Sequence, residues 1–337
     1  MDSRSLNYLQ NKNLFFLKSI EQMIFLRSFI SVLSLYLFYA NDGIIEDTNT
    51  SDDPPPAPTT DLELIYKQAP ARIETTTMIQ NAIIDFDSMI DTLRSRKKKA
   101  NYLLAKEKCP AECDDNFKLI FLRCELFNIK LAVQRWLKYW DSRVETFGPE
   151  QAFLPLANTT LAATTALQYL QYSPNITDPD GRAILAQNMW LEANDEISSE
   201  EFLQAVWYQL HAVLKQDESI QKRGIVIYVR GVENFSDWRV QFTGKLFQQI
   251  QTALPIRLCG FHIMNPLSFI NIVMKIIRPL AGKKLRNSFH IHNADSTAGL
   301  IQSLKKFGLN KDTLVCIINL LPTILFLLIL HCSSLNI

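Results

Sequence analysis

The chain has 337 residues, 47% of them hydrophobic and 20% charged, enough for two domains or for one domain with a helical preamble and tails. Thirty-five Lys and Arg against 34 Asp and Glu leave a net charge of +1, which excludes a global pull toward nucleic acid and leaves any electrostatic role to a local patch. The six cysteines, Cys109, Cys113, Cys124, Cys259, Cys316 and Cys332, have no framework spacing and read as reduced thiols of a cytosolic protein; Asn-x-Ser/Thr sites at Asn49, Asn158, Asn175 and Asn234 matter only in a secreted one.

In chain order, the first feature is an apolar stretch from Met23 to Ala40 that contains Arg27 and reads as a signal peptide or signal anchor. Phe38 suits a peptidase site badly. Residues 41–63 are acidic and carry Pro54, Pro55, Pro56 and Pro58, so they form a linker with too little apolar surface to order itself. From about Leu62 to Lys108 the spacing of Ile79, Ile83, Ile84, Met89 and Leu93 is helical. A basic run follows, Arg94, Arg96, Lys97, Lys98 and Lys99, which is either a solvated helix face or a membrane-surface or nuclear-targeting patch.

A short helix over Phe117–Leu126, entered at Asp114 or Asp115, precedes the most regular one. Ile129, Ala132, Val133, Trp136, Leu137 and Trp140 make one apolar stripe of helical period, with Asn128 as N-cap and Gly148 after the last turn. The two tryptophans are expected in the core. From Asp178 the rhythm changes to short apolar runs alternating with amphipathic helices. The runs are Ala183–Trp190, Ile225–Val229, Leu258–Met264 and Phe289–His292; the helices are Ser198–Lys215, Ser236–Ala253, Leu267–Ile277 and Thr297–Phe307. Runs such as Ile225–Val229 are apolar on both faces, as buried parallel strands are. The alternation predicts βαβ units and an α/β domain, with right-handed crossovers that leave one face or edge for a pocket.

Several chemistries lack their motifs. No Gly-rich phosphate loop follows any strand, and no G-x-S-x-G elbow exposes a serine. Cys109-x3-Cys113 and His290-x-His292 are each half of a zinc site without a second pair nearby, so neither metal nor catalysis is expected.

The remaining residues resemble the CRAL-TRIO lipid-binding family, which includes tocopherol-transfer, retinaldehyde-binding and phosphatidylinositol-transfer proteins. Asp115–Cys124 and Phe127–Ala132 resemble its helical lead-in, departing at Cys124 and Glu125. Asp178-Pro179-Asp180-Gly181-Arg182-Ala183-Ile184 is similar to its turn into the first sheet strand, and Gly224–Val229 to its central strand. Pro255–Pro266 resembles the run that ends a strand and opens a mobile gate helix, and Lys283–Arg286 with Phe289–Asn293 completes a further family stretch. The resemblance runs in order over about residues 115–314.

What it implies is an α/β fold: an all-helical lead-in, then a mostly parallel sheet with flanking helices and a gate helix over a lipid pocket. The corresponding divisions are 1–61 (apolar segment and linker), 62–150 (helical domain), 151–314 (lipid-binding domain) and 315–337 (apolar tail). Tyr228, Phe261, Ile263, Phe269, Ile272, Val273, Ile276 and Ile277 would line pocket and gate; Arg257, Lys283, Lys284 and Arg286 would meet phosphoinositides or an anionic membrane. Ser288 stands where some members have a further arginine, which weakens the phosphoinositide expectation.

The implied function is non-catalytic binding and intermembrane transfer of a tocopherol- or retinoid-like lipid or a phosphoinositide, including phosphatidylinositol bisphosphate. The protein would be a cytoplasmic monomer with peripheral membrane association and with neither cofactor nor nucleic-acid partner. The alternative is a membrane-tethered module that senses phosphoinositides. In the tail, Val315–Leu330 holds 16 residues interrupted by Asn319 and Pro322 and reads as translated intron in preference to a tail anchor.

Overall fold

A computed structural model describes residues 60–156, 170–188, 197–230, 240–264, 266, 270, 274–275, 283–294 and 296–309, all within a compact unit spanning Ser51–Ile337. The Met23–Ala40 stretch, residues 41–59 of the expected linker and the 315–337 tail lie outside the described residues, whereas residues 60–63, expected to be linker too, instead open a helix in which Leu62 is buried.

The helical region is divided more finely than its periodicity implies. Helix α1 covers Asp61–Tyr66, closed by a capping box between Thr60 and Glu63. Then come α2 (Thr76–Thr92), a 3₁₀ turn (Lys97–Lys99), α3 (Ala100–Lys108), α4 (Asp115–Cys124) and α5 (Ile129–Gln151). Asp114 caps α4 by accepting from the Phe117 amide, and Asn128 caps α5 by accepting from that of Leu131. Gly148, at φ +78°, kinks α5 where the sequence places a stop.

Helix α5 is the hub of this layer. The buried Trp136 ring meets Phe86 of α2 at 5.9 Å, Tyr102 of α3 at 5.8 Å, and Phe117 and Phe121 of α4 at 5.5 and 4.9 Å, all near edge-on. One side chain of α5 therefore joins it to α2, α3 and α4. Trp140, on the same stripe, is also fully buried.

The sheet follows: β1 (Leu170–Thr177), β2 (Ala183–Asn188), α6 (Ser199–Gln216), α7 (Glu218–Arg223), β3 (Ile225–Arg230), α8 (Val240–Thr252), β4 (Leu258–Met264), α9 (Lys283–Ser288), β5 (Phe289–His292) and α10 (Thr297–Leu304), ending in a 3₁₀ turn at Lys305–Phe307. Strand β1 has no counterpart in the sequence reading. It is an antiparallel edge strand containing Pro174, and proline is admitted at edges because the ladder there needs no donor from it.

The described strands lie in sequential order, β1 to β5, with β2 through β5 parallel. Right-handed crossovers in a sequential sheet all fall on one side. Side chains of α6, α8 and α9, with Met274, accordingly share one apolar cluster with the helical layer and the front of the sheet. The back is covered by the two ends of the described chain. Leu62 and Tyr66 of α1 pack there with Leu300 and Leu304 of α10 and Phe307 of the last turn.

Buried cations tie these layers together. Arg135 of α5 donates to the carbonyls of Ile250, Gln251 and Leu254 at the end of α8, at 3.0, 2.7 and 2.8 Å, with Glu125 as counter-ion. Those of Ile250 and Gln251 are among the carbonyls a helix leaves without internal partners, and that of Leu254 lies just past the helix end. Arg123 of α4 grips both oxygens of Glu74 at 2.9 and 2.7 Å and also meets Glu218 of α7.

Candidate functional site

Strand register decides which candidate residues share a face. Leu185, Ile227, Phe261 and Phe289 form one row across β2–β5; Gln187, Val229, Ile263 and Ile291 form a second row two residues along. Both face the crossover helices. Phe247 of α8 completes a triangle of rings with Phe261 and Phe289, with centroids 5.3–5.5 Å apart. Ile270 and Met274, four residues apart in the segment after β4, belong to the same apolar cluster, with Met274 buried.

Tyr228 is not brought to this front face. It pairs with His262, and side chains alternate between faces along a strand, so both point to the back between the two front rows. The Tyr228 ring stacks on His262 at 4.5 Å, and His262 on His290 at 4.9 Å. Phe261 and Ile263 share the front; Tyr228 is separated from them by the thickness of the sheet. Of the expected gate, Phe269, Ile272, Val273, Ile276 and Ile277 lie outside the described residues.

The four expected headgroup cations also part company. Arg257 is buried and donates to the Ala69 carbonyl at 2.7 Å and to that of Lys222, clasping the segment after α1 to the end of α7. Burial and the neighbouring Arg182 hold its pKa below the usual arginine value. Its guanidinium is thereby committed inside the protein instead of facing a membrane. Lys283, Lys284 and Arg286 fall on α9, with Arg286 exposed; the side chains of Lys283 and Lys284 lie outside the described set.

The back face holds a polar chain that sequence reasoning missed. Ser303 donates to the Leu300 carbonyl at 2.8 Å, so its oxygen accepts from His292 Nδ1 at 3.0 Å. His292 Nε2 is then free to accept from His262 Nδ1 at 2.9 Å, and His262 Nε2 accepts the Tyr66 hydroxyl proton at 3.0 Å. Each bond fixes the next tautomer, and both imidazoles are neutral. Burial pushes His290 and His292 down to about 4 and His262 well below the usual histidine value, with their neighbours' charges adding to the effect. Burial and Asp178 raise the Tyr66 phenol, keeping it a proton donor. The histidine rings stack and do not converge, and among the described residues no group of three or more His, Cys, Asp or Glu could hold a metal ion. The sequence signal was His262 lying between two apolar front residues, with His290 and His292 at the same two-residue spacing.

Beside this chain, Asp178 organises the turn into β2. One carboxylate oxygen accepts from the amides of Asp180 and Arg182, at 3.0 and 2.8 Å; the other takes the Arg182 guanidinium at 2.8 Å. Gly181 has φ +77°, a left-handed conformation that favours glycine in this turn. The Arg182 guanidinium in turn lies 5.2 Å from the Tyr66 ring.

Comparison with known proteins fits this arrangement. Residues 168–312 match the CRAL/TRIO domain. The chain is similar to proteins named alpha-tocopherol transfer protein-like, 29% identical in Homo sapiens and 30% in Mus musculus over 188 residues, 54% of this chain and 53% of theirs. It thus spans about half the length of the curated relatives it matches. A solved structure titled "Crystal structure of Sfh5" aligns with TM-score 0.43 and 15% identity, covering 65% of this chain and 82% of that one. Among the described residues no helix is long and apolar enough to cross a membrane. The mostly parallel sheet, preceded by the helical lead-in, thus lies in a segment, residues 168–312, that is similar to the CRAL/TRIO domain.

Proposed function

We propose that this protein binds one lipophilic molecule against the front of its sheet and carries it between membranes without chemical catalysis. The observation that carries the reading is the front-face arrangement itself. Phe261 and Ile263 stand in adjacent apolar rows, in one cluster with Ile270 and Met274 from the segment that resembles a gate. Phe269, Ile272, Val273, Ile276 and Ile277 extend that segment's apolar character, which suits a lid that covers the ligand when shut and meets a bilayer when open. Each buried CH₂ of a hydrocarbon tail contributes about 0.8 kcal/mol, so an apolar wall suffices to hold an isoprenoid or acyl chain.

Similarity to proteins named for tocopherol transfer favours a tocopherol- or retinoid-like ligand. With Arg257 engaged internally, any phosphoinositide headgroup would fall to Lys283, Lys284 and Arg286. The test is transfer of a fluorescent tocopherol analogue from donor to acceptor vesicles by the full chain. Transfer well above the protein-free rate is expected, falling at least tenfold in Phe269→Asp with circular dichroism unchanged. Unchanged transfer by that variant would remove the gate, and no transfer by the parent chain would remove the carrier.

A further inference from the structure

Most cations buried in the fold are matched to carboxylates: Lys118 to Asp87 and Asp115, Arg123 to Glu74, Arg135 to Glu125, Arg143 to Glu112, Arg182 to Asp178. The corner between α2 and α3 is built differently. Residues 94–108 hold seven cations against one carboxylate, Glu107, in a chain whose net charge is only +1. Arg94, Arg96, Lys97 and Lys98 are exposed, and none of the ion pairs formed among the described residues engages them.

The corner is anchored from beneath. Lys99 donates to the Ile90 carbonyl at 3.1 Å, closing the end of α2, while Ile90, Tyr102 and Ala105 are buried on either side. One turn into α3, Leu103 and Leu104 are 36% and 40% exposed, next to the basic turn. A rigid basic knuckle flanked by two outward leucines matches an anionic bilayer, which offers charge at its surface and hydrocarbon just below. A nucleic-acid groove would instead interleave aromatic platforms for base stacking. The one aromatic residue in this stretch, Tyr102, is turned inward.

We infer that the α2–α3 corner is a docking surface for anionic lipid bilayers, with Arg94, Arg96, Lys97 and Lys98 holding the surface charge and Leu103 and Leu104 entering the interface. This deepens the carrier reading, resting on it in that a carrier must meet a membrane. It assigns that meeting to a second surface, distinct from the gate segment. At about fivefold in affinity per cation near a charged leaflet, four cations together are worth several hundredfold, so removing them should cost at least a hundredfold even after partial screening.

The test uses the full chain and sedimentation with vesicles of phosphatidylcholine alone or with one part in five phosphatidylserine. The parent chain is expected to prefer the anionic vesicles and to lose that preference in high salt. The quadruple variant Arg94→Gln, Arg96→Gln, Lys97→Gln, Lys98→Gln should bind them at least a hundredfold more weakly with an unchanged melting temperature. Leu103→Asp with Leu104→Asp should weaken binding while keeping its salt dependence. Equal binding by the quadruple variant, equal binding of the parent to neutral vesicles, or displacement of anionic vesicles by an equimolar RNA oligonucleotide would each overturn the assignment. Uptake of a tocopherol analogue from detergent reads the carrier function separately. Both proteins should retain it; loss in both would contradict the carrier reading and leave the docking result standing.

Discussion

The two faces of the sheet are made from alternate residues of the same strands, yet they solve different problems. The front, with Phe261, Ile263, Phe289 and Ile291, is apolar, and every described crossover helix covers it. The back places Tyr228, His262 and His290 in one row and threads the Tyr66–His262–His292–Ser303 chain through the seam where α1 and α10 dock. Apolar contacts are non-directional and tolerate exchange of one partner for another of similar volume. A buried hydrogen-bonded chain specifies one arrangement, because each broken link leaves a desolvated group unpaired. The face that adapts and the face that locks are thus separated by one residue of strand register.

The largest expected effect lies at the edge of the locking face. Arg182→Ala removes the partner of the buried Asp178 carboxylate and should destabilise the fold by about 3–5 kcal/mol, read as a shift in the denaturation midpoint. A loss under 1 kcal/mol would mean that the turn is held by its backbone alone. On the front, Phe261→Ala opens the ring triangle with Phe247 and Phe289. It should cost about 3 kcal/mol in the ligand-free chain and lower the ligand content, so the measured loss should grow when ligand is supplied. On the back, His262→Leu strands the Tyr66 hydroxyl and His292 Nε2 at about 1–3 kcal/mol, and ligand content should stay the same. Equal ligand loss in both variants would erase the distinction between the faces.

Acid sharpens the same contrast. The back-face histidines are neutral when folded, with pKa values depressed to about 4 for His290 and His292, while an unfolded histidine titrates near 6.5. The unfolded chain therefore binds more protons between those values, so stability is fully present above about pH 6.5 and is lost as pH falls toward about 4. Melting temperature should decline across that window, and less steeply in His290→Gln with His292→Gln. The smallest expected effect is Asn128→Ala, which removes the cap of α5 for about 1 kcal/mol and should leave the pH slope untouched.

How much of this the sequence discloses follows from the range of the interactions. The start of helix α5 at its cap Asn128 and the strands Leu258–Met264 and Phe289–His292 are set by local periodicity and capping and emerge with those boundaries, while α5 continues through the kink at Gly148 to Gln151. Strand β1 was hidden because Pro174 and its polar neighbours carry no buried-strand pattern; only pairing to β2 makes it a strand. The family resemblance groups Tyr228 with Phe261 and Ile263 as pocket lining. The face each takes depends on the register Tyr228↔His262, which is a long-range fact. The resemblance likewise places Arg257 among the headgroup cations, and its actual acceptors, the Ala69 and Lys222 carbonyls, are remote in sequence. The relay partners Tyr66 and His262 are 196 residues apart.

The central claim is that the front of the sheet shelters a lipophilic guest. Native mass spectrometry of the full chain, purified without detergent after incubation with mixed lipid vesicles, measures that directly. The account predicts one bound lipophilic molecule per chain in the parent and in His262→Leu, and loss of it in Ile263→Asp. A folded parent chain whose mass equals that of its polypeptide alone would contradict it.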